Sequence, residues 1–529
     1  MAYCGCCTRR VFIIFFSVSG LILLITGLLL TASHVIIKSR VKEDVQLKPG
    51  SSVFNEWKNT SIPFFKKFYI FNLTNPEEVM AGSATPSVEQ IGPYSYREIR
   101  SNKVLEWTDD DSIVKFMPNR TYIFDPETSC VGCDDRNDTF VNVNIPLLTL
   151  ALWLRNTNYT MEQPPLCSYG IQAALNKYNL KLFRRKAVYD ILWGYQDEFL
   201  EFLLNISSLS KCPAKEGITT FIQLQYNNTF YGVSAVNTGR TDISKLEQFT
   251  MWRNESHLSW WSDKYANMLN GTDGTQFAPD VDKENKFYVF SPEICRSVYF
   301  KYEQEVTLKD IKLYRVTVPD NVFKSGDVYP PNKGFCVTPG CLPSGLLNIS
   351  LCQPMNPPVV ASPPHFYQSD KSLLERVHGL KPEKSKHETF LEIEPITGVV
   401  MRGAQRVQIN IALESVDVLT QTKGSFEKVF LPFMFASETA EITDEKASDF
   451  RKKVYTAITL ANVFQYGLII LGAFFIVMVL LLPCFNTDDK KGEEDGTEDE
   501  EGEKHPLLDS TKKTSFSHKT HTTQQGEST

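Results

Sequence analysis

Two long uncharged runs, one near each end, constrain this chain more than any average property does. From Val11 to Ile37 the sequence reads VFIIFFSVSGLILLITGLLLTASHVII, with His34 its one ionisable side chain. About 20 apolar residues in a helix cross the hydrocarbon core of a bilayer, so the run is long enough to span. A cleaved signal peptide has a shorter apolar core and a small-residue cleavage site. This run is too long for one and TASH is a poor site, so it reads as an uncleaved signal-anchor. The second run, Ala457 to Leu482, opens with polar Asn462 and Gln465 and is then wholly apolar through GLIILGAFFIVMVLLL up to Pro483. A buried helix of a soluble domain seldom stays apolar all round for so long. The expected layout is a cytosolic tail at 1–10, transmembrane helices at 11–37 and 456–482, a lumenal or extracellular domain at 38–455, and a cytosolic tail at 483–529.

Basic residues flank both runs on both sides, so the positive-inside rule does not orient the chain. Glycosylation sequons do. Asn59, Asn72, Asn119, Asn137, Asn158, Asn205, Asn227, Asn254, Asn270 and Asn348 each precede Ser or Thr by two positions, with no Pro between. About four such triplets would arise by chance, and all of these lie between the two runs. Glycan transfer is lumenal, which puts the central region in the lumen and both termini in the cytosol. The cysteines divide the same way. Cys4, Cys6, Cys7 and Cys484 sit just outside the spans on the cytosolic side, as palmitoylation candidates or plain free thiols. The other eight (Cys130, Cys133, Cys167, Cys212, Cys295, Cys336, Cys341, Cys352) are an even number in an oxidising compartment, which favours disulfides. Cys336 and Cys341 bracket VTPG, whose Pro-Gly turn can bring them together.

Within the central region, period-two alternation marks strands at 221–226 (FIQLQY), 311–318 (IKLYRVTV) and 407–413 (VQINIAL). Residues 390–400 (FLEIEPITGVV) read as a hairpin turning across Pro395 to Gly398. Helical spacing clusters between Pro146 and Asn205, where Ile171, Ala174, Leu175 and Tyr178 form one apolar face. The fold class is therefore α+β. Lys177, Lys181, Arg184 and Arg185 fall at i, i+4, i+7 and i+8, one basic stripe if the helix is continuous, and Lys186 follows. Such a stripe concentrates anionic partners; the bland reading is a solvated helix face. Its lumenal placement excludes nucleic acid.

Nothing points to catalysis. No G-x-S-x-G elbow, H-E-x-x-H helix or phosphate loop occurs. Cys130-x-x-Cys133 has no second pair or neighbouring histidine to complete a zinc set, and His257, His365, His378 and His387 have no metal-ligand spacing. Neither enzyme activity nor a cofactor or metal is expected.

Several stretches together identify a family. FNLTNPEEV (71–79), GPYSYRE (92–98), LWGYQDEFL (192–200), NGTDGTQFAP (270–279), EICRSVYF (293–300), GFCVTPGC (334–341), SPPHFYQSD (362–370) and HETFLEIEPITGVV (387–400) stand in the same order as in the class B scavenger receptors. The chain resembles that family from the first span to the second, and within it the lysosomal integral membrane protein branch. The resemblance implies an antiparallel β-barrel-like core, an apical helical bundle and an apolar tunnel toward the bilayer. It implies binding of lipoproteins, anionic phospholipids, fatty acids and sterols. It also implies disulfides Cys295–Cys352 and Cys336–Cys341. Cys130–Cys133 and Cys167–Cys212 are the trial pairings for the remaining four. The basic residues Lys177, Lys181, Arg184, Arg185 and Lys186 would then face ligand at the apex.

After Cys484 an acidic stretch, EEDGTEDEEGE, reads as solvated and disordered. Glu503, Leu507 and Leu508 follow with the spacing of an acidic dileucine signal, the form that clathrin adaptor complexes read. In the branch it directs proteins to late endosomes and lysosomes, with the plasma membrane as the other expected pool. The branch also includes an escort for the hydrolase β-glucocerebrosidase that releases its cargo through an apical histidine. Here KLFRRKAVYDILWGY (181–195) carries Lys186 at that place, and lysine stays charged from pH 5 to 7. Lipid reception is therefore the expected function, with hydrolase delivery as the alternative. Gly20, Gly27, Gly467 and Gly472 let spans pack closely within one chain or between chains, which keeps a homo-oligomer open.

Overall fold

A computed structural model of the protein describes residues 5–108, 110–156, 165–195, 197–199, 201, 224, 227–337, 340–354 and 356–481. The chain divides into two compact units, one holding the residues through Thr26 together with those from Leu468 onward, the other Gly27–Gly467. The first unit contains most of α1 (Gly5–Leu29) and of a C-terminal helix, Thr456–Leu481. Both are long and apolar enough to cross a membrane. Hydrophobicity does not drive helices together in lipid, so close backbone approach must do it. Gly20 and Gly472 permit that approach. A Cβ added at Gly20 would lie 3.1 Å from the Gly472 carbonyl oxygen, and one at Gly472 would lie 2.8 Å from the Leu24 amide nitrogen. Phe16 meets Phe475 edge-on beside them at 5.0 Å. These glycines therefore pack within one chain. The helix expected over 11–37 is interrupted: α1 ends at Leu29 and α2 (Ala32–Asp44) begins two residues on. The Thr31 hydroxyl donates to the Leu28 carbonyl at 2.6 Å, a side-chain bond of the kind that competes with the helical ladder.

The larger unit is built on strands β1 (Phe64–Leu73), β2 (Val88–Trp107), β3 (Ile113–Phe124), β4 (Thr139–Val143), β5 (Phe183–Ala187), β6 (Ser234–Asn237), β7 (Phe249–Met251) and β8 (Phe287–Ser291). These are followed by β9 (Arg296–Leu308), β10 (Ile311–Thr317), β11 (Leu347–Asn348), β12 (Val359–Ser362), β13 (Phe390–Ile393), β14 (Val400–Leu413) and β15 (Val429–Glu441). The main antiparallel sheet runs β7-β6-β3-β2-β1-β15-β14-β13-β10-β9-β8. Separately, β4 and β5 form a two-stranded ribbon. Alternation explains the strands. In β1, Phe64, Lys66, Phe68 and Ile70 are buried while Phe65, Lys67 and Tyr69 are half-buried, as one covered face requires. The expected strands at 311–318 and 407–413 fall in β10 and β14, and β13 pairs with β14 across the 395–398 turn as the hairpin. The expected strand at 221–226 lies outside the described residues except for Leu224.

A sheet this large leaves two edges with unpaired amides and carbonyls. Here residues 271 and 272 serve both. The Phe249 amide of β7 donates to the Gly271 carbonyl at 2.9 Å; the Thr272 amide donates to Tyr288 of β8 at 3.1 Å, and Phe290 returns a bond to Thr272 at 2.9 Å. The sheet thereby closes nearly into a barrel. Disulfides join Cys295 to Cys352, Cys336 to Cys341 and Cys130 to Cys133. Cys212 and the side chain of Cys167 lie outside the described residues.

Gly271 sits at φ +93°, and a Cβ there would collide with the Tyr288 carbonyl group. Gly271→Ala keeps the Asn270 sequon. It is expected to cost about 2 kcal/mol or more from the left-handed backbone and the clash, read as a lower thermal unfolding midpoint with no change in glycosylation.

Candidate functional site

Strand parity places charge inside the barrel. Lys66 shares the inward face of β1 with Phe64 and Phe68. Glu98 and Arg100, two apart on β2, share a face. Arg120 on β3, Glu438 on β15 and Glu293 after β8 complete the group. Arg100 Nε lies 2.9 Å from Glu98 Oε1, and Arg120 Nη1 lies 3.1 Å from the same oxygen. Arg100 also binds Glu438. Lys66 Nζ reaches Glu293 at 3.3 Å and Glu438 at 3.8 Å. Three cations thus meet three carboxylates, and the cluster is neutral overall. Such burial is tolerated only where the partners are all present. For Lys66, burial works to lower the ammonium pKa, but Tyr122, Glu293, Glu438 and Glu98 outweigh it and hold it above its ordinary value. For Glu438, burial works upward, and Arg100, Lys66 and Arg120 together hold it well below the usual carboxylate range.

Beside this cluster lies a cavity of about 320 Å³. Trp57, Phe64, Phe116, Trp252, Phe290 and Leu391 give it an apolar wall, and Arg100, Arg120, Glu293 and Glu438 a polar one. A void this size with an apolar lining and a few convergent polar groups has the character of a small-molecule site. Glu247 also faces it. That residue is buried, has no cation within ion-pair distance among the described residues, and has its pKa pushed well up by burial and by Asp273. Burial thus favours the protonated carboxyl, which can donate one hydrogen bond and accept others.

The basic stripe is not the continuous helical face that its spacing predicts. The helix Pro165–Lys177 stops at Lys177, and two residues on Asn179 adopts a left-handed φ of +43°, a conformation that ends helices. Residues 183–187 then form β5, with Arg184 opposite Asn142, Arg185 opposite Val141 and Lys186 opposite Phe140. Period two replaces period 3.6, and the charges separate. Arg184 pairs with Asp197 at 3.0 Å. Lys186 Nζ stands 3.3 Å over the Tyr195 ring, its pKa lowered by burial and by Arg184. Arg185 donates to the Thr139 hydroxyl at 3.2 Å yet remains exposed, as do Lys177 and Lys181. Arg184, Lys186, Asn142, Pro146 and Tyr195 line a separate recess of about 20 Å³, room for one water. Helices Ile145–Asn156 and Val188–Trp193 supply Ile145, Pro146 and Ile191 to its lining.

His365 and His387 stack at 4.3 Å beneath the sheet. The Nδ1 of His365 accepts from the Lys381 amide and that of His387 from the Glu383 amide, at 3.0 and 2.8 Å. His365 Nε2 then donates to Gln90 at 2.6 Å. Burial pushes both imidazoles down to about 4, and the pair is a neutral structural contact. Among the described residues no group of three His, Cys, Asp or Glu side chains could hold a metal ion. Of the sequon asparagines, Asn59, Asn137 and Asn254 are exposed, and Asn72, Asn119, Asn227, Asn270 and Asn348 partly so. Asn158, Asn205, Cys4, Cys484 and the Glu503, Leu507, Leu508 signal lie outside the described residues, as do the side chains of Cys6 and Cys7. The interior cluster and Glu247 went unread in the sequence. For Lys66 a signal existed: a lysine on the same parity as Phe64, Phe68 and Ile70.

A profile of the CD36 family matches residues 18–482. Lysosome membrane protein 2 of Homo sapiens is 33% identical over 490 residues, covering 91% of this chain and 96% of the relative. The protein of that name in Rattus norvegicus is 32% identical over 469 residues, 88% and 93% of the two chains. Scavenger receptor class B member 1 of Mus musculus is 33% identical over 469 residues, 87% and 88%.

Glu247 supplies a pH test. Below the ordinary carboxylate pKa the group is protonated both folded and unfolded, and it costs nothing. As pH rises the unfolded chain ionises while the folded chain keeps the proton, so stability falls until the raised folded pKa is reached. Glu247→Gln should therefore raise the unfolding midpoint at pH 7 and leave it unchanged near pH 4.

Proposed function

The chain belongs to the CD36 family, and from that premise we propose that it is a membrane-anchored lipid receptor and conduit. Exposed Lys177, Lys181 and Arg185 capture anionic lipid or lipoprotein ligands, and the barrel carries sterol, fatty acid or phospholipid toward the bilayer. The observation that carries this reading is the cavity of about 320 Å³, walled by aromatic rings on one side, inside a nearly closed sheet. A lipid moving through such an interior avoids about 0.8 kcal/mol for each methylene that water would otherwise meet. Surface cations raise the local concentration of anionic ligands in a salt-dependent way. Arg184 belongs to structure in this scheme, since Asp197 neutralises it. In the proposed topology both termini are cytosolic and the barrel is lumenal.

Two variants separate capture from passage. Reversing Lys177, Lys181 and Arg185 to Glu should weaken binding to phosphatidylserine vesicles by about tenfold or more, equivalent to at least about 1.4 kcal/mol. Ala440→Phe, on the cavity wall, should leave vesicle binding intact and abolish sterol transfer into cell membranes. Unchanged vesicle binding removes the capture site, and unchanged transfer removes the conduit.

Residence in late endosomes and lysosomes is proposed from Glu503, Leu507 and Leu508 together with the lysosomal relatives. Leu507→Ala with Leu508→Ala should shift the protein to the cell surface in surface-biotinylation assays; continued lysosomal residence excludes the signal. The alternative, hydrolase delivery with acid-triggered release, needs a group that changes charge between pH 7 and 5. No histidine lies between His34 and His257, which favours the lipid reading.

A further inference from the structure

Away from the barrel cavity and the basic residues, one buried cation has no countercharge among the described residues. Arg296 begins β9 and is only 6% exposed. Its guanidinium stacks 3.6 Å from the Phe335 ring centre and 5.6 Å from that of Phe323. Among the described residues its Nε has no hydrogen-bond partner and no carboxylate comes within ion-pair distance. Lys66 makes the contrast: equally buried, it has two carboxylates within 4.0 Å. Leaving an ion buried and unpaired costs several kcal/mol even after local relaxation. Burial does draw the Arg296 pKa down to about 9, but the group remains a cation at neutral and acidic pH.

Arg296 lines a cavity of about 20 Å³ together with Ser325, Gly326, Asn332 and Asn348. Lys324 lines it too, but Asp320 neutralises that ammonium at 2.8 Å, so the local charge stays at plus one. The walls are stiff. Cys295, next to Arg296, is bonded to Cys352. Gly326 lies against the second bridge, where a Cβ would meet Cys336 Sγ at 2.7 Å and Cys341 Sγ at 3.0 Å. The two bridges fix the loops on either side of the cavity.

A cavity needs about 10–15 Å³ to hold one water-sized particle, so this one takes one and no more. Water would satisfy an N–H group and leave the charge uncompensated. A sulfate or phosphate is too large. We propose that the Arg296 cavity is a structural anion site holding a single monatomic anion, chloride, between the guanidinium and the disulfide-bound loops. This site is independent of lipid reception.

The test uses the full-length chain in detergent at pH 5, unfolded thermally in sodium chloride or sodium gluconate at equal ionic strength. Binding to the native state alone stabilises it as ligand concentration rises past the dissociation constant. The midpoint should therefore climb with chloride and not with gluconate. Arg296→Met keeps an apolar stack on Phe335 and removes the charge, and it should abolish that dependence. Crystals grown in bromide should show an anomalous peak beside the guanidinium. Equal midpoints in the two salts, or an undiminished chloride response in Arg296→Met, overturns the proposal. If Arg296→Met does not fold, the bromide crystal decides alone, and a cavity without an anomalous peak overturns it.

Discussion

A barrel that keeps an open chamber must support its wall without filling its interior. In this chain the neutral cluster of Lys66, Glu98, Arg100, Arg120, Glu293 and Glu438 provides that support. It ties β1, β2, β3 and β15 together through side chains that reach inward beside a cavity of about 320 Å³. An apolar core of equal size would gain stability by filling the same space. Ion pairs hold a fixed geometry at a distance, and their mutual neutrality removes the field that a single buried charge would impose on an apolar ligand. The Glu293 and Glu438 carboxyls are held below the ordinary carboxylate range by the neighbouring cations, so both keep their charge in mildly acidic surroundings.

Closure matters equally. The edges at β7 and β8 are joined through residues 271 and 272, which pair to both. Without that segment the chamber would open along one side, and two strand edges would present unpaired groups. Near β8 and β9 the disulfides take over from packing. Short strands and 3₁₀ turns dominate between Asp320 and Cys352, and two covalent bridges supply the order that few ladder bonds can. A buried arginine stands there, stacked on Phe335 between the two bridges.

The basic cluster shows how local backbone geometry redistributes surface charge. Helical spacing would put Lys177, Lys181, Arg184 and Arg185 on one face. A left-handed Asn179 and the pairing of β4 with β5 change the period instead. Arg184 and Lys186 turn toward Asp197 and Tyr195, leaving three exposed cations. The exposed charge is smaller and more dispersed than a continuous stripe would be.

The local physics of the chain sufficed for its membrane-length helices, its antiparallel strands in β10, β13 and β14, and its family, because hydropathy, alternation and motif order are properties of neighbouring residues. Tertiary structure alone decided the rest. Which charges meet inside the barrel depends on strands that are hundreds of residues apart in sequence, Arg100 with Glu438 being the clearest case. Sheet closure, the chamber it leaves and the isolation of Arg296 also arise from the order in which strands assemble. Local spacing carries no record of that order, since identical alternation serves a filled barrel and a hollow one.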